Sequence, residues 1–214
     1  RLINKGYKVA ICEQVEDPKQ AKGLVRREVV KIITPGTIIS ENLLPGNNNN
    51  FLVALYEEDE ELILTATDIS TGECLWALFS GAQRLTALYD QLFRLMPTEL
   101  VFSSHIDNMD KLNAFISNRI PHCTHTTLTI DNLKYANSLP KQHFSPEELP
   151  EHDAALTGIS YLLYYLHQTV KTDLSHINRL IKYNSSEYLV VDSTTMRNLE
   201  VTRNVRDGGK KDTL

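Results

Sequence analysis

Apolar and polar residues alternate in two short segments near the start of the chain. Residues 7–11 and 28–33 both show the period of two that is typical of β-strands. The segment between them, "EDPKQAKG", has Pro18 where a helix would begin and Gly23 where it would end. A strand, a short helix and a second strand predict the last part of a small α/β domain over residues 1–37.

Three further strand-like runs follow a segment that is rich in turn residues. Residues 38–50 contain a proline, a glycine and a run of asparagines, which predicts a linker. Strands are then predicted over 51–56, 62–69 and 74–79, because apolar and β-branched residues dominate these runs. The connections "EEDEE" and "STG" are short enough for hairpins. The pattern therefore predicts a meander of three antiparallel strands.

Helical and strand-like periods alternate after the meander. Leucines recur at helical spacing from Leu85 to Leu95, and a strand is predicted over 99–102. A second helix with Asp107 as its candidate cap and a strand over 124–130 follow. Three strands and then alternating helices and strands match a ribonuclease H-like arrangement. We therefore predict an α/β fold with a ribonuclease H-like domain at 51–140.

The segment after the last predicted strand has no clean period. Residues 133–152 contain three prolines and are interpreted as a long connection, with a linker at 141–152. A strongly amphipathic helix follows over 155–170, and a short strand, a cap and a new helix are predicted near Asp192. These elements predict a mainly helical segment over 153–214 whose last helix is cut off.

Both ends of the chain are interpreted as cuts through a longer protein. The sequence begins at Arg1 inside an apolar-polar pattern and ends at "GGKKDTL" without a closing element. In a helical domain interrupted this early, we expect apolar residues such as Leu162 and Leu166 to be exposed. Exposed apolar faces of this kind favour self-association.

Composition and charge limit the function classes. The formal net charge is −5, from 22 Lys and Arg against 27 Asp and Glu, whereas a self-sufficient DNA-binding domain more often has a basic excess. Three cysteines lie far apart with no paired spacing, which indicates reduced thiols inside a cell, and we expect a cytoplasmic protein. No apolar run approaches the roughly 20 residues of a membrane span.

Candidate chemistry is sparse. A ribonuclease H-like metal-dependent nuclease would need a carboxylate at the centre of its first strand, but "FLVALYEE" is apolar until Glu57. Asp68 and Glu73 flank the second turn and would form half of a site at most. The "HCTH" segment at 122–125 lacks the second ligand pair of a structural zinc site. Arg26 and Arg27 could contact phosphates, or could lie on a solvated face balanced by acidic neighbours.

Three ordered blocks of sequence closely resemble the MutS family of DNA mismatch repair proteins. They are "GYKVAICEQVEDPKQAKGLVRREVVKIITPGT", "TATDISTGE" and "HINRLIKYNSSEYLVVDSTTMRNLEVTRNVRDG". The resemblance implies the end of a mismatch-recognition domain at 1–37, a connector domain at 51–140 and the start of the core or lever domain at 153–214. Since no Phe-x-Glu motif stands at the start, the family's base-stacking reader is expected upstream of Arg1.

The resemblance also implies partners and cofactors. The family's ATPase domain, which uses ATP and Mg²⁺, is expected downstream of Leu214, so we expect no cofactor, catalytic residue or metal site in this chain. Mismatched double-stranded DNA, the MutL protein and a second copy of the full-length protein are the expected partners. Arg26 and Arg27 match the region that approaches the DNA backbone. A non-enzymatic connector is thus weighed against a nuclease and against a module that binds DNA by itself.

Overall fold

The computed structural model describes residues 2–17, 23–38, 49–171, 173–183 and 199, and all structural statements below refer to these residues. None of the helices found there is both long and apolar enough to cross a membrane. Two single 3₁₀ turns occur at Ile3–Lys5 and Pro35–Thr37. The strands are β1 (Val9–Gln14), β2 (Arg27–Ile33), β3 (Phe51–Glu58), β4 (Glu61–Asp68), β5 (Glu73–Phe79), β6 (Glu99–Ser103), β7 (Thr124–Leu128) and β8 (Arg179–Lys182), and the α-helices are α1 (Arg84–Leu95), α2 (Met109–Arg119), α3 (Leu133–His143) and α4 (Asp153–Thr169).

The strands form two sheets. Strands β1 and β2 pair as an antiparallel hairpin, in which Val9 lies opposite Ile33. The second sheet has six strands in the order β7-β6-β3-β4-β5-β8. Strand β4 is antiparallel to both neighbours, and the remaining pairs are parallel. The meander of β3, β4 and β5 and the α/β fold class are therefore confirmed.

Helices cover both faces of the six-stranded sheet. Strand β3 shows why, because Leu52 and Ala54 belong to the core on one face while Val53 and Leu55 belong to the core on the other. A strand that is buried on both faces needs a continuous apolar run, which "FLVAL" provides. Helices α3 and α4 pack on the first face, and α1 and α2 pack on the second.

The connection expected over 133–152 is wrong for its first half, which forms helix α3. The Asn132 side chain accepts a hydrogen bond from the Tyr135 backbone N–H and so caps the start of the helix. Pro140 lies in the last turn and cannot donate to the carbonyl of Ala136, so the helix lacks one backbone hydrogen bond there. Its side chain is buried beside those of Ala136 and Leu139, and this apolar packing offsets the loss.

Helix α4 corrects the expectation of exposed apolar side chains. Leu162 and Leu166 are both 0% exposed, because α4 packs on the six-stranded sheet. Gly158 permits this close approach: a Cβ atom there would lie 2.4 Å from the Ile63 Cγ2 atom. The helix that was assigned to the next domain therefore shares its core with β3 and β4, and these leucines offer no surface for self-association.

Several other expectations fall outside the described residues. They are the short helix around 18–22, most of the linker at 38–50, and the strand, cap and helix near Asp192. Asp107 does not cap α2 with its side chain. Its backbone N–H donates to the Glu57 carboxylate at 2.7 Å instead, and the residue at the N-cap is Asn108.

Candidate interdomain junction

The Thr-Pro-Gly-Thr segment forms a compact, buried turn between the hairpin and the six-stranded sheet. Proline at the first position of the Pro35–Thr37 turn has a suitable φ and no N–H to satisfy. The Thr34 backbone N–H donates to the Thr37 Oγ1 atom at 2.8 Å, and the Thr37 N–H donates back to the Thr34 carbonyl at 3.1 Å. Because these bonds are local, the turn forms from its own residues and presents its remaining polar groups to the sheet.

The polar groups of the turn donate hydrogen bonds to Glu99, the first residue of β6. Its carboxylate is fully buried and accepts hydrogen bonds from the Thr34 hydroxyl and, at 3.0 Å, from the Gly36 backbone N–H. The other oxygen accepts from the Tyr165 hydroxyl of α4 and lies 3.2 Å from the Lys8 ammonium. Burial of a carboxylate is tolerated when it is paired and fully hydrogen-bonded. Three distant chain segments thus converge on one side chain of the sheet.

Gly36 is required at this place by close approach. A Cβ atom on residue 36 would lie 2.9 Å from the Glu99 Cβ atom and 3.0 Å from the Leu52 Cβ atom. The first contact is shorter than carbon atoms tolerate and the second is tight enough to force a small shift, and neither Cβ atom can rotate away. The absence of a side chain therefore lets the turn lie directly on β3 and β6.

A second anchor, made by Asn50, holds the other side of the turn. The Asn50 side-chain amide donates to the Pro35 carbonyl at 3.0 Å, and its oxygen accepts from the Thr98 hydroxyl at 2.8 Å. The Asn50 backbone N–H donates to the Asp68 carboxylate at 2.8 Å, and Asp68 also accepts from the Ser70 N–H and hydroxyl. The turn is thereby fixed to the ends of three neighbouring strands.

The electrostatic environment keeps the groups around Glu99 in their proton-donating forms. Burial, with the negative charge of Glu99 as a further cause, raises the pKa of the Tyr165 phenol far above its ordinary value. Tyr165 therefore remains a hydroxyl donor at any physiological pH. Burial and then the charge of Glu99 also raise the pKa of the Cys123 thiol to about 12, so this thiol stays protonated at physiological pH.

The position of these residues in the sheet indicates a structural role. Asn50 precedes β3 and Glu99 begins β6, so both lie at the amino-terminal edge of these parallel strands. Ligand and catalytic sites of open α/β sheets lie at the opposite, carboxyl-terminal edge. We define Lys8, Thr34, Pro35, Gly36, Thr37, Asn50, Asp68, Glu99 and Tyr165 as the junction.

Arg26 and Arg27 lie away from the junction, at the far end of the hairpin. Arg27 begins β2 opposite Gln14, and both arginines are exposed. The Arg26 guanidinium pairs with the carboxylate of Glu28, and the Arg26 backbone N–H donates to the Glu16 carboxylate at 3.2 Å. Exposure leaves the arginines accessible to a phosphate, while the acidic neighbours partly offset their charge.

The described residues do not assemble a nuclease or zinc site. At the centre of β3, Ala54 and Leu55 are buried and apolar. The oxygens of Asp68 are occupied within the junction, and no group of three or more His, Cys, Asp or Glu side chains in the described parts of the chain is arranged to hold a metal ion. In the "HCTH" segment, Cys123 is buried while His125 packs on the Phe102 ring.

Sequence reasoning placed a boundary at the Thr-Pro-Gly-Thr segment but did not identify the residues that hold it. Glu99, Tyr165 and Asn50 were not singled out, because their partners lie far away along the chain and no local motif marks them. One signal was present. A glutamate that opens an otherwise apolar strand, "ELVF", is unusual in a strand buried on both faces and indicates a buried polar contact.

Two known domain families match the two parts of the chain that meet at the junction. Residues 1–42 match the family description "MutS domain I" and residues 50–178 match "MutS domain II". Proteins called DNA mismatch repair protein MutS are similar over the whole chain, with 36% identity in Ruminiclostridium cellulolyticum, 38% in Clostridium novyi and 37% in Methanosarcina barkeri. The chain spans only 25%, 23% and 25% of the length of these relatives, respectively.

Proposed function

The chain belongs to the MutS family of DNA mismatch repair proteins, and from this premise we propose that it is a non-catalytic connector that couples mismatch recognition to the ATP-dependent part of the protein. The observation that carries the proposal is the buried carboxylate of Glu99. It holds the turn that follows the recognition-domain hairpin and, through Tyr165, the longest described helix. A displacement of one part would therefore be transmitted to the other.

The arrangement of the middle unit supports a ribonuclease H-like scaffold without its chemistry. Numbered from β3, the first five strands of the sheet have the order 5-4-1-2-3, with the second strand antiparallel. The packing of α4 on this sheet, and a domain match that extends to residue 178, favour assigning α4 to the connector rather than to the core domain. We propose that the core domain begins after β8.

The chain spans about a quarter of its relatives' length, so the activity of the whole protein is a proposal here. We propose that mismatched double-stranded DNA is read by residues upstream, that ATP and Mg²⁺ bind downstream, and that the full-length protein is a cytoplasmic homodimer. The outer surface of the connector would meet MutL. Arg26 and Arg27 would contribute contacts to the DNA backbone, which position a duplex without reading its sequence.

This proposal predicts weak, salt-sensitive and non-selective DNA binding by the chain itself. Fluorescence anisotropy would compare a labelled duplex that contains a G·T mispair with a fully paired duplex, each at several salt concentrations. We expect equal affinities for the two duplexes. Replacing both Arg26 and Arg27 by alanine should weaken binding and lower the slope of log K against log salt by about 2, because each phosphate contact contributes about 0.9.

A charge-matched variant provides the control. Lys111 and Arg119 are exposed on α2, on the face of the sheet away from α4, and their joint replacement by alanine removes the same charge. We expect the control to leave the slope nearly unchanged. Tight binding that favours the mispair would contradict the proposal, since recognition would then reside in this chain. Magnesium-dependent cleavage of either duplex would support the nuclease alternative instead.

A further inference from the structure

The hairpin of β1 and β2 is largely exposed, whereas the turn that follows it is buried and hydrogen-bonded to the sheet. Every described residue of β1 beyond Val9 is exposed, and β2 is at most half-buried. In contrast, the turn residues from Thr34 to Thr37 are all buried and are fixed by Glu99 and Asn50. The chain therefore passes from a lightly packed hairpin to a tightly held turn within one residue, at the bond between Ile33 and Thr34.

Two lysines carry polar contacts between the hairpin unit and helix α4. Lys8, just before β1, donates to the Tyr165 hydroxyl oxygen at 2.8 Å and lies 5.0 Å from the centre of the Tyr165 ring. Lys171, just after α4, donates to the carbonyl of Val29 in β2 at 3.1 Å. The Lys8 contact lies directly before β1 and the Lys171 contact is made to β2, so both strands of the hairpin are joined to α4.

Both contacts can be lost without dismantling the junction. Lys8 is 35% exposed in its side chain, and water can replace Tyr165 and Glu99 as its partners. Without Lys8, the Glu99 carboxylate still accepts from Thr34, Gly36 and Tyr165. Lys171 is exposed, and within the described parts of the chain its ammonium donates to the backbone carbonyl of Val29. The exposed Lys171 contact contributes little by itself. Losing Lys8 is more costly, because the buried Glu99 carboxylate then has no cation beside it, so Lys8 supplies most of this attachment.

We propose that Lys8 and Lys171 are positioning residues that hold the hairpin in one orientation on α4, and that the hairpin pivots at Ile33–Thr34 when both contacts are released. The clamped turn is the fixed end of the pivot. The proposal rests on the proposed function only in that the hairpin is the part that belongs to the recognition domain. It would give that domain two defined orientations relative to the connector.

The test uses the cysteines that the chain already has. Cys12 is exposed on β1, whereas Cys74 and Cys123 are buried and burial raises the pKa of both thiols, so a thiol-reactive spin label attaches to Cys12. A second label is placed at the exposed end of α4 by Gln168→Cys. Pulsed EPR then measures the distance distribution between hairpin and helix without DNA.

We expect one dominant distance in the otherwise unaltered chain, with any released population at about 10% or less, as is typical of a minor conformer. Combining Lys8→Met with Lys171→Met should raise a second, longer distance several-fold, and each single variant should give an intermediate result. The emission of Trp76, which is buried in β5, should stay unchanged and so show that the sheet remains folded.

Removing two exposed lysines elsewhere, by Lys111→Met with Lys141→Met, is the matched control and should preserve the single distance. The proposal is overturned if the variant lacking Lys8 and Lys171 keeps the original distribution, or if the unaltered chain already shows a broad one. Since no DNA is present, these outcomes are independent of the DNA-binding test, and either proposal can fail while the other stands.

Discussion

Replacing Glu99 by alanine is expected to lower the free energy of unfolding by about 3 to 5 kcal/mol, the range for removing one partner of a buried ion pair. The substitution leaves the Thr34 hydroxyl, the Gly36 N–H and the Tyr165 hydroxyl without their acceptor in a site that excludes water. Each stranded buried donor costs about 1 to 3 kcal/mol, although such losses are not additive. Urea denaturation followed by Trp76 fluorescence measures the change.

Two further variants show whether the loss of stability comes from the buried hydrogen bonds of Glu99. Glu99→Gln keeps the shape and one acceptor oxygen, so we expect a smaller loss than for alanine. Glu151→Ala removes an exposed carboxylate and should change the free energy of unfolding by about 0.5 kcal/mol or less, as is usual for surface substitutions. A loss below about 1 kcal/mol for Glu99→Ala, smaller than the penalty for even one stranded donor, would show that the junction does not depend on this carboxylate.

Replacing Leu162 by alanine is expected to cost about 2 to 5 kcal/mol, because the helix side chain is fully buried against the sheet and its removal leaves a cavity. The loss should appear as a lower urea midpoint with an unchanged m-value, since the surface exposed on unfolding stays nearly the same. Leu133→Ala is the matched control. Leu133 is 53% exposed, so the same deletion there should cost far less.

A cost below about 1 kcal/mol for Leu162→Ala would mean that α4 does not share the core of the sheet. Sedimentation of the unaltered chain bears on the same point. If Leu162 and Leu166 are buried as the structure has them, these two residues give the chain no apolar surface through which to associate.

The sequence predicted the strands of the meander well because their pattern is strong and local. Strands β3, β4 and β5 are apolar runs separated by short polar turns, and their pairing follows from connections too short for any other arrangement. Helix α3 was missed because its sequence is polar and contains Pro140. The Asn132 cap was a local signal that could have been recognised from the sequence, whereas the buried face of the helix depends on its folded neighbours.

The placement of α4 could not be predicted from its pattern alone. Its buried residues occupy nearly all sides of the helix from Gly158 to Leu166, which indicates burial but not the partner that covers it. The expectation of exposure came from assigning the helix to a domain that continues beyond the chain. In the structure the sheet covers the helix, and Gly158 allows the close approach because a side chain there would collide with Ile63 on β4.

The junction shows a similar division between local and distant information. The turn at 34–37 was visible as a boundary because threonine, proline and glycine favour turns. Its attachment to Glu99 was not visible, since the two are separated by more than 60 residues in the sequence. The two arginines were identified from their charge and from the family resemblance, and the structure places them at the exposed end of the hairpin.

The central claim is that the junction joins the recognition-domain hairpin to the connector as one cooperative unit. The most direct measurement is urea unfolding of the whole chain followed by two probes, a fluorescent dye on Cys12 in the hairpin and the emission of Trp76, the chain's one tryptophan. Coincident transitions are the test of a single cooperative unit. The account predicts that they coincide in the unaltered chain and separate in Glu99→Gln, with the hairpin probe changing at lower urea. A hairpin that unfolds first in the unaltered chain would contradict it.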